Sequence, residues 1–329
     1  MDTSIEPFFR YDAFPVDPKR RPKGALLPMD IGGPTSYYAA KSFWDSVNKR
    51  RLVWAWVRLS NQALEALDEN GKKYAGFKAG GCPGIGVVMT NTNSMAREAT
   101  YDPRLQRLSY FPVREMAALR RAVLGGAPAG TRIMPSKPLV LATGDGVIQS
   151  EMRASFAMPS EAVRIGVTLL GGKRPSGKRP LEEGQRTPAE FTTTIYIDFV
   201  PGAAGSSVWN ATAGVDQSSM LCPNYKRKAP PPSITDRKAC PKSSAMLPLK
   251  ASDTSLDIAV WADNLFLEVF IMGGRLAWTV PLPCEAIVGG TGATAFVTGG
   301  EKGVELVNAS IWAMGAITYD NTGGPDNRT

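Results

Sequence analysis

Side chains that could do chemistry are unevenly supplied in this chain. It contains no histidine, which removes every triad that relays protons through imidazole and, with no C-x-x-C pair present, argues against a zinc site. The four cysteines, Cys82, Cys222, Cys240 and Cys284, form no C-x-x-C pair. Cys222 and Cys240 bracket a loop rich in Pro and Lys; a disulfide between them would close a short loop, and two unrelated thiols is the other reading. Three N-x-S/T sequons fall at Asn210, Asn308 and Asn327, and together they point to a secreted parent protein. Gly289-Gly-Thr-Gly292 and Gly80-Gly-Cys-Pro-Gly84 do not fit the G-x-x-x-x-G-K-[ST] phosphate loop and open no helix, so they read as turns. Nothing in the sequence calls for a cofactor or a metal.

The elements that would position these residues read as strands. With 329 residues the chain exceeds what one core usually supports, so two units are expected. Segments 52–57, 85–90 and 107–111 are short, β-rich and bounded by turn residues. Segment 112–121 changes period and predicts one short helix, and Gly125-Gly-Ala-Pro-Ala-Gly130 reads as a linker. Beyond it alternation is clean. Met152, Ala154 and Phe156 share one face, as do Phe191, Thr193, Ile195, Ile197 and Phe199; Leu256, Ile258 and Val260 repeat the pattern. Leu265, Leu267, Val269 and Ile271 form a further stripe, with Phe266, Glu268 and Phe270 on the reverse. Gly273-Gly274 makes a hairpin turn into 276–280. Period-2 strands without intervening helices indicate an all-β chain ending in an antiparallel β-sandwich. The expected organisation is residues 1–121, a linker over 122–134, a sandwich over 135–320 and a flexible tail over 321–329.

The net charge is +8, concentrated in 173–186 and 225–242, which read as solvated loops. Stacking aromatics are not interleaved with these basic runs, so a nucleic-acid partner is not expected. No apolar run approaches the roughly 18 residues of a membrane span, and the N-terminus carries no apolar signal-peptide core.

Three segments in order carry a family resemblance. Met29-Asp-Ile-Gly with Tyr37-Tyr-Ala-Ala-Lys-Ser-Phe-Trp-Asp45 and Lys49-Arg-Arg-Leu-Val-Trp-Ala-Trp56 resembles the invertase pattern D-x-G…YYASKTFYD…RRILWGW. Met95-Ala-Arg-Glu-Ala-Thr-Tyr-Asp102, followed by Pro112-Val-Arg-Glu115 and Leu119-Arg120, is similar to LPRELTYD…PVEE…LR. Asp263-Asn-Leu-Phe-Leu-Glu-Val-Phe270 with Gly273-Gly-Arg275 is similar to DRSIVEVF…GGR, with Leu265 in place of the usual Ser, and Ala309-Ser-Ile-Trp-Ala-Met314 resembles the closing strand. The chain thus resembles the C-terminal part of the β-fructofuranosidases of glycoside hydrolase family 32. The resemblance implies an incomplete remnant of the family's five-bladed catalytic β-propeller over 1–121, followed by its β-sandwich.

Retaining glycosidases need a carboxylate nucleophile and a carboxylic acid about 5–5.5 Å apart. The family keeps its nucleophile in W-M-N-D-P-N-G, a stabilising Asp in R-D-P and the acid/base in E-C. Here the first tryptophan is Trp44, the Asp-Pro pairs are Asp17-Pro18 and Asp102-Pro103 in other contexts, and only the reversed Cys284-Glu285 occurs. No catalytic residue is therefore assigned. Asp30 matches the family aspartate that lines the sugar pocket, with Tyr38 beside it; an Asp capping backbone N–H groups before Gly-Gly is the alternative role for Asp30. Trp54 and Trp56 share a face and are expected in the blade core. Asp263 and Glu268 are expected to be structural, and Arg275 a turn residue paired with one of them. The resemblance implies a fructose-containing saccharide as ligand, and a missing N-terminal half or a second copy as partner. The alternative is a non-catalytic carbohydrate- or partner-binding protein built on the sandwich.

Overall fold

A computed structural model describes residues 29–32, 37–58, 91–172, 191–202, 209–219, 221–223, 237–240, 242–263, 265–282 and 292–316. The predicted strand at 85–90, the two basic runs for the most part, and the tail from 321 lie outside them.

The first sheet contains β1 (Tyr37–Asp45), β2 (Arg50–Arg58), β3 (Asn91–Asn93), β4 (Arg97–Asp102) and β5 (Arg107–Pro112). Its order is β1-β2-β4-β5, with β3 also on β2, and it corresponds to a propeller blade. The remaining strands are β6 (Arg120–Ala127), β7 (Thr131–Ile133), β8 (Leu139–Ala142), β9 (Gln149–Ala157), β10 (Val163–Gly172), β11 (Phe191–Val200) and β12 (Asn210–Asp216). They continue with β13 (Leu221–Pro223), β14 (Arg237–Ala239), β15 (Lys242–Met246), β16 (Ser255–Asp263), β17 (Phe266–Ile271), β18 (Leu276–Pro281), β19 (Ala293–Thr298) and β20 (Val304–Met314). Two antiparallel sheets, β15-β12-β11-β10-β19-β8 and β18-β17-β16-β9-β20-β6, form the sandwich, with β7 on β20 and a separate β13-β14 hairpin.

The alternation seen in the sequence becomes the core. Ile165, Val167, Ile195, Ile197 and Phe199 of one sheet face Met152, Phe156, Leu256, Val260, Leu267 and Val269 of the other, all buried in one cluster. Each such side chain is worth about 1.5–3 kcal/mol when fully buried. Trp278 crosses the layer and donates from Nε1 to Ser243 Oγ at 3.1 Å, tying β18 to β15.

Three expectations are corrected. The short helix over 112–121 is a 3-10 turn, Arg114–Leu119, and a strand begins at Arg120. The proposed linker over 122–134 is sandwich: β6 and β7 both pair with β20. The Gly125-Gly126 pair marks close strand approach, since a Cβ at Gly125 would sit 2.0 Å from Leu141 O and one at Gly126 2.3 Å from Ala309 O. Finally, β17 has no solvent face: Val269 and Phe270 are both fully buried, Val269 in the sandwich core and Phe270 in a second cluster with Ala259, Trp261 and Ala277. Met95, Phe111 and Met314 pack against that second cluster, so the outer face of the seven-stranded sheet is where the blade docks.

Candidate functional site: a sealed arginine junction and an open aromatic face

Period 2 sorts the blade's side chains onto two faces with opposite fates. On the inner face Tyr37 pairs in register with Val57, and both are buried. Val53 pairs with Arg97 on β4, which aims the Arg97 side chain at the sandwich, where it has no exposure.

The guanidinium is held from three directions. Nε and Nη2 donate to Glu268 Oε2 at 3.1 and 2.6 Å, and Nη2 also reaches Asp30 Oδ2 at 3.0 Å and Thr279 Oγ1 at 2.9 Å. The second Glu268 oxygen accepts the Met95 N–H at 2.6 Å. Asp30 Oδ1 accepts the N–H groups of Thr279 at 3.0 Å and Gly32 at 2.9 Å, and its Oδ2 accepts the Thr279 hydroxyl at 2.8 Å. The ring of Tyr37 lies 4.3 Å from the guanidinium carbon, and that of Phe270 4.9 Å. Burial pushes the Tyr37 hydroxyl up to about 12, against the opposing pull of Arg97. Burial likewise pushes the Glu268 carboxyl up, with Arg97 and the Met95 N–H opposing it. Next to Asp30 in the chain, Ile31 N donates to Ala277 O at 2.8 Å, so residues 30–31 cover the free edge of β18.

Both carboxylates touch one nitrogen of Arg97, so the two acids of the junction share a single cation. They are unusable as the two carboxyl groups of a retaining glycosidase. Asp30 and Glu268 are at most 1 % exposed, each of their four carboxylate oxygens accepts from a protein donor, and both bind the same guanidinium. A sugar could reach Asp30 only by breaking the junction. Asp30 caps the N–H groups of Gly32 and Thr279 and ion-pairs with Arg97, while Glu268 is buried against the same guanidinium. Arg275 pairs with Asp253, at 2.6 and 2.7 Å, instead of with Asp263 or Glu268. Just before it, Gly274 sits at φ +86°, where an added Cβ would meet the Tyr110 carbonyl oxygen, so the turn leading into Arg275 admits only glycine.

The outer face of the blade is open. Tyr38 pairs with Trp56 and Lys41 with Trp54, while Phe43 meets Trp54 edge-on at 5.2 Å. Tyr38, Phe43 and Trp56 are 46, 44 and 51 % exposed. Trp54 and Trp56 do share a face, but it is this solvent face and not the blade core, because Val53, Ala55 and Val57 take the inside. Adjacent residues on β1 point to opposite sides, so Tyr38 and Asp30 do not line one pocket.

A hollow of about 450 Å3 opens where the β4–β5 hairpin meets the sandwich turn at Met272 and Gly273. Its one carboxylate is Asp102, which accepts from Lys250 Nζ at 2.6 Å. That hydrogen bond holds the Asp102 carboxyl below its ordinary range. Among the described residues no cluster of acids, cysteines or histidines is arranged to hold a metal.

Cys240 is buried and disulfide-bonded. The β13-β14 ladder sets Cys222 opposite Lys238, two residues short of Cys240. Asn210 and Asn308 are exposed; Asn327 lies outside the described residues. The residues missed in the sequence are Arg97, Tyr37 and Thr279. Arg97 stands inside the Met95–Asp102 motif, but its partners lie 67 to 182 positions away and no local pattern reveals them.

No family model matches the chain. Among curated proteins it is 21% identical to β-fructofuranosidase, insoluble isoenzyme 2, of Oryza sativa subsp. indica, an alignment covering 93% of this chain and 50% of that protein. It is 23% identical to sucrose:sucrose 1-fructosyltransferase of Festuca arundinacea over 83% of this chain and 38% of that one. Over most of its own length the chain is similar to β-fructofuranosidases and to a fructosyltransferase. It spans about half the length of the curated relatives it matches. The fold agrees. Fructan 1-exohydrolase IIa from Cichorium intybus, solved with 1-kestose, superposes with a TM-score of 0.60 at 17% identity, covering 89% of this chain and 52% of that chain. β-Fructofuranosidase from Schwanniomyces occidentalis gives 0.53 at 14% identity, over 90% and 50%.

Proposed function

We propose that this chain is a structural, non-catalytic portion of a fructosyl-processing glycoside hydrolase and releases no fructose alone. The observation that carries this reading is the fate of the acids. The Asp30 and Glu268 carboxylates are sealed around Arg97, and the hollow at the junction holds a single, lysine-paired carboxylate. The family's nucleophile and acid/base motifs do not occur in the sequence. The reaction of the whole protein would be hydrolysis or transfer of terminal fructosyl units of sucrose-type sugars. The polypeptide bearing its catalytic carboxylates would pack on the outer blade face at Tyr38, Phe43 and Trp56, whose exposure supports such a partner. Export from the cell fits the disulfide at Cys240 and the cell-wall and insoluble isoenzymes among the relatives.

The test is direct. The purified chain, incubated with sucrose and separately with 1-kestose, is expected to release no fructose above the buffer control. Release that disappears on Asp102→Asn or another single acid substitution in this chain would overturn the proposal.

A further inference from the structure

The hollow beside the β4–β5 hairpin has walls from both parts of the chain, and each wall is held in place. Tyr110 N donates to Gly274 O at 3.0 Å, which ties the hairpin to the sandwich turn. On the sandwich side, Asp253 accepts from both Arg275 Nη atoms at 2.6 and 2.7 Å and from the Lys250 N–H at 2.6 Å. On the blade side, Asp102 Oδ1 accepts the N–H groups of Arg104 and Leu105 at 3.0 and 3.2 Å, which closes the hairpin turn. The volume of about 450 Å3 falls within the roughly 300–1,000 Å3 of small-molecule sites, which gather where domains meet.

What this space offers is mostly donors. Thr100 and Ser109 are cross-strand partners, and period 2 puts Asp102 on their side of the hairpin. Lys250 Nζ reaches Asp102 Oδ2 at 2.6 Å and spends one of its three N–H bonds there. Both Asp102 oxygens are thus already filled. Among the described residues the Arg104 guanidinium and the Thr100 and Ser109 hydroxyls have no partner. Arg104, Lys250 and Arg275 line the hollow, against Asp102 and the Asp253 behind Arg275, so these five groups leave one positive charge over. A neutral polyol would leave that charge unmet. A tetrahedral oxyanion would meet it, and its oxygens accept in several directions, as donors arriving from two walls require.

We propose that this hollow binds a phosphate group, free or carried on a sugar, between Lys250 Nζ, the Arg104 guanidinium and the Thr100 and Ser109 hydroxyls. The site is separate from the Arg97 junction. β1 and β4 run parallel on either side of β2, so Asp102 lies at the Asp45–Arg50 end of the blade. It is five residues along β4 from Arg97, ~16 Å of strand at ~3.3 Å per residue. Binding there neither uses nor requires release of fructose, so the two proposals fail separately.

The experiment is equilibrium dialysis of the full chain against radiolabelled inorganic phosphate at fixed ionic strength. One saturable phosphate per chain is expected, bound more weakly as chloride is raised. Arg104→Gln removes an exposed cation without a partner, and is expected to weaken binding about tenfold or more, the value of a charge-assisted hydrogen bond. Gly273 lines the hollow at φ +64°, and a Cβ added there meets nothing within 4 Å. Asn tolerates that backbone, so Gly273→Asn is expected to fill the space and abolish binding with the urea midpoint unchanged. Competition by glucose 6-phosphate at lower concentration than phosphate would assign the anion to a sugar, and equal competition would assign it to free phosphate. Glucose is expected not to compete. No saturable phosphate binding, or displacement by glucose, would overturn the proposal. So would binding that neither variant weakens, since the anion would then sit elsewhere on this basic chain.

Discussion

Arg97 illustrates how much one residue can commit. A buried ion pair is weak evidence for stability as a unit, yet removing one partner leaves an uncompensated charge and costs about 3–5 kcal/mol. Arg97→Met is therefore expected to lower unfolding free energy by about that much, because Glu268 and Asp30 lose their shared cation. The variant should also recover stability as pH falls. Burial already raises the Glu268 carboxyl in the folded state. Without Arg97 that push is unopposed by the cation, and a raised folded value stabilises below the unfolded value and is lost as pH rises through the folded one. Urea unfolding of Arg97→Met at pH 5 and pH 8 checks this, and equal losses at both would rule out Glu268 as the responsible group. Glu151 gives the opposite sign. It is buried, which alone would raise its carboxyl, but Arg120 at 2.6 Å and Arg153 at 2.7 Å bring it below the ordinary range. Its contribution is present above the usual carboxylate range and is lost as pH falls through the folded value. Wild type is expected to weaken as pH drops below about 4.5, and Glu151→Gln to flatten that slope.

At the scale of elements, the strands of the sandwich were legible because their inner faces are apolar at period 2: Met152, Ala154 and Phe156 on β9, Ile195, Ile197 and Phe199 on β11, and Leu256, Ile258 and Val260 on β16 are all buried. What misled was a local rule applied where the tertiary contact decides. Gly125-Gly126 satisfies every sequence criterion for a linker, yet it is a strand pressed against Leu141 and Ala309. Trp54 and Trp56 look like core because they are large and apolar, yet the smaller Val53, Ala55 and Val57 fill the inside. The Arg97 junction was invisible, because it joins positions 30, 97, 268 and 279 that only the fold brings together. Two tests follow from the elements. A fragment of residues 135–320 lacks β6 and β7, the pairing partners of β20. It is expected to show no cooperative urea transition, whereas residues 120–316 should unfold cooperatively; cooperative unfolding of the shorter fragment would show that β6 is dispensable. The loop between Cys222 and Cys240 offers the other. If those two residues are joined, peptide mapping without reductant yields one linked pair, and Cys222→Ser costs about 3 kcal/mol, the value for closing a loop of roughly 15 residues. Recovery of Cys240 linked to Cys82 or Cys284 would discard the pairing.

For the molecule as a whole, the blade is stabilised from one side only. Its inner face is sealed to the sandwich by Arg97, by Tyr37 and by the contacts of Met95 and Phe111 with the Trp261–Phe270 cluster. Its outer face leaves Tyr38, Phe43 and Trp56 about half in water. Full burial of each large apolar side chain is worth roughly 1.5–3 kcal/mol, so leaving half of three such residues uncovered forgoes on the order of 3 kcal/mol. The strands nearest the sandwich should then be the slowest to open, and β1, an edge strand at the far side of the sheet with mostly exposed side chains, the fastest. Hydrogen exchange on the full chain is expected to show protection falling from β16 and β17 through β4 to β1. A fragment of residues 29–119 is expected to exchange fully, since it keeps the open face and loses the sealed one. Trp56→Arg with Phe43→Glu should reduce self-association and leave the β16–β17 protection unchanged, because neither residue touches the sandwich side. Strong protection across β1 in a dilute monomer of the full chain would mean that the blade needs no cover, and would remove the physical reason for a partner on that face.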